Sequence, residues 1–361
     1  MKMHIFHTAA FFIYLNVIYV DTEIIAVVQV ISNGKSTPKS FYKTDTYNQA
    51  FYWGGLDNGQ LINEGKRQQY TLGQYTRKRY GEFLPTKYNK SDLYAQTTDV
   101  DTSHMSIQTF IYGIFPAKQL QIWRRNIDWQ AIPVHPADVR VFMYSYPSDC
   151  AAYNTLLNEQ LNSDEYNLIN LQNSDLYSYL TNYTGDNITD LPAVYKIWDT
   201  LYSEDLVGYT LPSWTDQVYP EPIRTVAGLY YKLLTHTTEM KSLMTGPFFN
   251  EILDYFDNMA NDSSSSQKFR IYSGHDTNIA TYLITIGTFS PAYPPPPASS
   301  LYIELHAEDD DHIVKVFYKN GNSIGQVEIN GCESNCTLSA FRETISDILL
   351  DTTTRDEQCS S

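Results

Sequence analysis

Ile24-Ile25-Ala26-Val27-Val28-Gln29-Val30-Ile31 runs straight into Ser32-Asn33-Gly34-Lys35-Ser36-Thr37-Pro38, and the rest of the chain can be ordered around this stretch. The near-continuous apolar run reads as a buried strand. Beyond the strand, Gly34 and Pro38 punctuate the chain and mark a tight turn.

Strand signals return near the other end of the chain. Phe269-Arg270-Ile271-Tyr272-Ser273, Leu301-Tyr302-Ile303-Glu304-Leu305 and Ile313 to Tyr318 read as strands. The last two are joined by the acidic loop Glu308-Asp309-Asp310-Asp311. A proline-free stretch from Asn63 to Phe83 predicts a helix with Asn63 near its N-cap. Ser106 to Phe115 predicts a second helix that stops near Pro116, and a third begins near Asn278. From about 150 to 250 the chain is rich in Asn, Leu and Tyr at helical spacing. Asn261 to Ser266 is a polar loop, and Pro294 to Pro297 a stiff connector. The expected architecture is α/β: a central mixed sheet flanked by helices, with a mainly helical cap inserted into it. Residues 21–150 and 250–361 would form the core and 151–249 the cap.

The chain has 361 residues, 42% of them hydrophobic, enough for one large domain or two lobes. With 25 basic against 41 acidic residues its formal charge is −16, which argues against nucleic acid or an anionic membrane as partner. Residues 1–20 read as a secretory signal, with Lys2 ahead of a mostly apolar stretch from Ala9 to Val20. No later run reaches membrane-spanning length, so a secreted or luminal protein is expected. Sequons at Asn89, Asn182, Asn187 and Asn261 agree with that compartment. So do four cysteines, Cys150, Cys332, Cys336 and Cys359, an even number that implies two disulfides and permits three pairings. Their surroundings lack the histidine spacing of a zinc site, and no cofactor is implied. His104, His236, His306 and His312 have no carboxylate or cysteine partner at suggestive spacing and are assigned to packing or surface. The 30 tyrosines lean weakly toward a binding or assembly surface.

Several blocks, in order along nearly all of the mature chain, resemble the histidine acid phosphatases, above all the prostatic and lysosomal members. Trp53, Asn58-Gly59-Gln60-Leu61, Glu64-Gly65, Leu72-Gly73 and Arg77-Lys78-Arg79-Tyr80 are similar to the family's Gly-Gln-Leu-Thr helix and its Arg-x-Arg-Tyr end. Thr97-Thr98-Asp99-Val100-Asp101 resembles its Ser-Thr-Asp-x-Asp block. Trp129-Gln130, Ile132-Pro133-Val134-His135 and Leu211-Pro212-Ser213-Trp214 match further blocks. Gly274-His275-Asp276-Thr277 matches the second catalytic motif. The resemblance implies the histidine phosphatase (phosphoglycerate-mutase-like) fold and a homodimer or larger homo-oligomer.

It also implies a damaged site. The family's first motif is Arg-His-Gly-x-Arg-x-Pro, in which the histidine attacks phosphorus, arginines hold the phosphoryl oxygens, and an aspartic acid protonates the leaving group. Here the nucleophile position is Asn33, two arginine positions are Ser32 and Ser36, a third is Gln96, and a further arginine is replaced by Thr102. Only His275 and Asp276 keep the family's identities, and holding the strand-helix turn explains that better than a surviving role in binding. Lys35, the one cation inside the motif, reads as a solvated loop residue. The resemblance pairs Cys332 with Cys336 and Cys150 with Cys359, while a third family bridge falls at Ser203 and Ser300. The expected function is an inactive homologue with a binding or structural role, its ligand or protein partner unnamed. The alternative is a working acid phosphatase or other ester hydrolase of altered mechanism, with Asp276 as acid.

Overall fold

The computed structural model describes residues 23–143, 147–262, 267–289, 293–309, 311–332 and 335–360. The expected signal at 1–20 lies outside them, as do 263–266 of the polar loop and Asp310 of the acidic one.

A seven-stranded mixed sheet forms the centre. Its strands are β1 (Glu23–Ser32), β2 (Leu93–Thr97), β3 (His135–Pro136), β4 (Phe269–Gly274), β5 (Ser300–Glu308), β6 (Asp311–Asn320) and β7 (Ser323–Val327). The order across the sheet is β3-β2-β4-β1-β5-β6-β7. The first four in that order run parallel; β5, β6 and β7 continue as an antiparallel meander. The apolar run at 24–31 is therefore an inner strand covered on both faces. Ala26, Val28 and Val30 enter one apolar cluster, Val27 and Ile31 another. Gln29, fully buried among them, is tolerated because its amide bonds Thr76 and Ser300.

On one face lie α1 (Asn63–Arg79) and α2 (Asp101–Ile114), which supply Leu72, Ile107 and Phe110 to the second cluster. The first expected helix was to run on to Phe83, but it stops at Arg79, where the chain turns so that both Tyr80 and Leu84 are buried in that cluster. The second starts five residues earlier than expected: Val100 is extended, and the acidic Asp101 opens the helix, where the dipole favours it. On the other face α8 (Thr238–Asn261), α9 (Asp276–Thr285) and α10 (Leu338–Thr344) contribute Phe248, Phe256, Ile279 and Phe341.

Between the two halves of the sheet come α3 (Ala151–Leu161), α4 (Asp164–Gln172), α5 (Ser174–Thr184), α6 (Leu191–Val207) and α7 (Ile223–Leu234). Local chemistry sets their ends. The side chains of Ser163 and Asp190 cap the starts of α4 and α6, while Gly185 and Gly208 end α5 and α6 in the left-handed conformation. These helices have an apolar cluster of their own, into which Tyr42 inserts from the loop after β1. Position 249 falls inside α8, which packs along the sheet. The chain ends in α11 (Thr352–Cys359), tied to the start of α3 by the Cys150–Cys359 disulfide; Cys332–Cys336 closes a short loop.

Among the described tyrosines ten are buried, fourteen half-buried, and Tyr52 and Tyr183 exposed.

Candidate functional site

Parallel pairing of β1 with β4 puts Ser32 opposite Gly274, so Asn33 and His275 leave neighbouring strands side by side. β2 ends beside them, with Thr97 opposite Ser273, and delivers Thr98, Thr102 and Ser103. Sites in α/β sheets form at such carboxyl ends.

The turn after β1 is held by close backbone approach. A Cβ on Gly34 would collide with the carbonyl of Gly65, and one on Gly65 with that of Lys35. The turn thus rests on the first turn of α1, anchored by Gln69 Nε2 donating to the Ser32 carbonyl at 2.7 Å. The Gly34 amide donates to Ser106 Oγ at 3.1 Å.

Asn33 Nδ2 lies 3.1 Å from Thr102 Oγ1 and 3.2 Å from His275 Nδ1. His275 Nε2 faces Thr98 Oγ1 at 3.3 Å and Ser103 Oγ at 3.4 Å. Burial, reinforced by the charge of Lys39, pushes the imidazole pKa down to about 3. The ring is therefore neutral, and its contacts fit one tautomer: Nδ1 accepts from Asn33, and Nε2–H donates toward Thr98. An amide nitrogen at this point donates hydrogen bonds but has no lone pair free to attack phosphorus.

Asp276 opens α9 and is gripped by the helical layer. Tyr195 of α6 and Tyr231 of α7 both donate to its Oδ2, at 2.7 and 2.6 Å. Burial raises its pKa, but the charge of Lys39 and the two phenols outweigh that, and the net direction is down. It is a carboxylate across the whole range where an acid hydrolase works.

Ser32, Asn33, Lys35, Ser36, Thr102, His275 and Asp276 share the wall of one cavity of about 310 Å³. Ser32 is buried and bonds Ser299 Oγ at 3.0 Å; Ser36 bridges to Leu61. Gln96 does not join them. It lies inside β2, in register with Tyr272 and His135, short of the strand end.

Lys35 corrects the sequence reading. It is 1% exposed rather than solvated, and its Nζ has no hydrogen-bond partner among the described atoms. Burial lowers its pKa to about 7, although Asp205 and Glu64 pull the other way. Sequence reasoning also missed Lys39 and Asp199, which line the cavity, and the tyrosine pair on Asp276. Nothing in the local sequence brings α6 and α7 to a strand end more than forty residues away. Three histidines read as lacking a carboxylate partner have one: His306 Nε2 lies 2.8 Å from Glu304 Oε2, His104 Nε2 3.2 Å from Asp99 Oδ1, and His236 Nε2 3.6 Å from Glu165 Oε2.

A profile of the histidine phosphatase superfamily (branch 2) matches residues 7–319. The chain belongs to that family. Among its relatives, human prostatic acid phosphatase is 30% identical over 351 residues, 94% of this chain and 90% of that protein. The venom acid phosphatase of Apis mellifera is 29% identical over 343 residues, 92% and 87% of the two chains. Lysosomal acid phosphatase of Xenopus laevis is 29% identical, covering 90% of this chain and 76% of its own. In fold the chain is similar to the phytase of Hafnia alvei, with a TM-score of 0.69 at 13% identity, over 92% of this chain and 98% of that one. The relatives' prostatic, venom and lysosomal names and the two disulfides fit an oxidising, secreted or luminal setting. Among the described residues no helix is long and apolar enough to cross a membrane.

Proposed function

We propose that this chain is a secreted, glycosylated member of the family that has lost catalysis and retains a binding or structural role. The reading rests on Asn33, which the resemblance aligns with the family's nucleophilic histidine and whose amide lies within hydrogen-bond reach of His275 and Thr102 at the strand ends. Removing the nucleophile from a covalent enzyme costs about 10⁶ in rate. The serines at 32 and 36 cannot replace guanidinium groups, whose bonds to phosphate contribute about 1.5–3 kcal/mol each. The four sequon asparagines, Asn89, Asn182, Asn187 and Asn261, are all exposed, as glycosylation requires.

An assay with p-nitrophenyl phosphate on purified protein from pH 4 to 6 tests the reading. The expected result is no turnover; a rate within a hundredfold of an active relative rejects it. The rival hydrolase with Asp276 as general acid is disfavoured because that group is already deprotonated. It demands some ester hydrolysis that Asp276→Asn abolishes.

Self-association is the further part of the proposal. Leu120, Ile122, Trp123 and Trp129 are exposed in the segment that leads to the edge strand β3, an apolar surface suited to a second copy. Light scattering on a size-exclusion column should give twice the monomer mass, and a clean monomer ends that part.

A further inference from the structure

Asn187 is more than an exposed sequon, because a groove begins beside it. The groove, of about 260 Å³, runs between α6 and the loop after β1. Its floor is made of the buried Tyr42, Ile188, Ile197 and Thr200. The half-buried Phe41 and Ala193 form its sides, and Asp186, Asn187 and Lys196 its polar rim. Along α6 the lining extends from Ala193 to Thr200, roughly 10 Å at the rise of a helix.

Hydrogen bonds pin the loop at both ends of the groove. Thr200 Oγ1 donates to the Ser40 carbonyl at 2.8 Å, and the Thr44 amide donates to the Thr184 carbonyl at 3.2 Å. Lys43 Nζ donates to the Gly185 carbonyl at 3.0 Å. The groove is therefore built into the junction between the loop and the helical layer.

Its chemistry suits a sugar. A sugar ring carries C–H bonds that an aromatic ring such as Phe41 attracts, and Ala193 and Ile197 offer further apolar surface. Its hydroxyls can donate to Asp186 and accept from Lys196. At this volume the groove lies below the usual range of sites for free small molecules. A tethered ligand needs far less affinity of its own, since a short link supplies an effective concentration on the order of millimolar. Asn187, in the sequon Asn187-Ile188-Thr189, places such a tether at the rim.

We propose that the first sugars of an N-linked glycan on Asn187 lie in this groove, packed on Phe41, and so join the loop after β1 to α6. The proposal rests on the reading of the chain as secreted and glycosylated. It is tested on protein secreted from eukaryotic cells, native and as Asn187→Gln, Thr189→Ala and the control Asn182→Gln. Peptide mass spectrometry gives the occupancy of Asn187, and hydroxyl-radical footprinting reads the exposure of Phe41. An occupied Asn187 is expected, with Phe41 oxidised at least threefold faster in Asn187→Gln and Thr189→Ala and at the native rate in Asn182→Gln. Thr189→Ala removes the glycan but keeps the asparagine, so agreement between the two variants assigns the protection to the sugar. Should either variant fail to fold, enzymatic removal of the glycan from the folded native protein gives the same comparison. If Asn187 is occupied and Phe41 oxidises equally fast with and without its glycan, the seating falls while glycosylation stands. An equal rise in Asn182→Gln overturns it too. If Asn187 carries no glycan, the proposal falls together with the glycosylated reading at that position.

Discussion

At position 33 an amide sits against a neutral imidazole: the Asn33 amide nitrogen donates to His275 Nδ1 at 3.2 Å. Restoring histidine there would supply a nucleophile without anything to hold the phosphoryl oxygens. Two missing arginine contacts at about 1.5–3 kcal/mol each leave a deficit of roughly 10²–10⁴ in rate. Asn33→His alone should therefore stay at the buffer blank in the p-nitrophenyl phosphate assay. Only with Ser32→Arg and Ser36→Arg added should turnover rise above it. Lys35 makes a separate prediction about stability. Its folded pKa is about 7 against an ordinary value of 10.5, so folding must discharge or bury an ammonium at any pH below that ordinary value. The cost is complete below pH 7, shrinks as pH rises from 7 to 10.5, and is on the order of 4–5 kcal/mol when complete. Urea midpoints should rise between pH 7 and 9.5 in the native protein by more than in Lys35→Met. Equal slopes would show that the amine is not strained.

The end of α1 and the middle of β5 are joined by a buried network that the sequence motif Arg77-Lys78-Arg79-Tyr80 only hinted at. Glu304, 1% exposed, accepts from Arg79 Nη2 at 2.7 Å and Tyr80 OH at 2.5 Å on one oxygen, and meets His306 on the other. Arg77 instead donates to the carbonyls of Ile114, Leu84 and Pro85, fixing the turn at the end of the helix. Burial raises the Glu304 pKa, but His306, Tyr80 and Arg79 together bring it below its ordinary value. A depressed carboxylate stabilises the fold above its unfolded pKa of about 4.3, and that stability is lost as pH falls through the lower folded value. Glu304→Gln should cost about 3 kcal/mol at pH 6, since it leaves the arginine unpaired. The difference from native should narrow below pH 4, as read from urea unfolding at both values. What was legible at this scale followed periodicity: β1, β4, β5 and β6 declare themselves as short apolar runs. The start of α2 did not, because Thr102, Ser103 and Ser106 are polar residues that the fold buries against the strand ends. The burial of Lys35 was invisible for a related reason, since it depends on two backbones touching at Gly34 and Gly65, far apart in sequence.

Across the whole molecule the long disulfide fastens the end of the chain to the start of the helical layer. Cys150 precedes α3 and Cys359 ends α11, a separation of 209 residues, whereas Cys332 and Cys336 are separated by only 4. Beside the long bridge Arg355 is buried, its Nε directed at the Leu243 carbonyl of α8, and Met143, Tyr153, Leu243 and Leu350 fill the space. The bridge therefore fastens a prepacked contact between the start of the helical layer, the longest helix on the sheet and the chain end. In the chain-entropy account a loop of that length contributes about 5 kcal/mol and the short one about 2 kcal/mol. Replacing Cys150 and Cys359 together by alanine should lower the urea midpoint far more than replacing Cys332 and Cys336. Because α11 packs on both α3 and α8, the loss should also free the end of the chain, so that limited proteolysis cuts near Asp351 first. Equal losses from the two pairs would mean that the packing around Arg355, rather than the covalent link, holds the halves together.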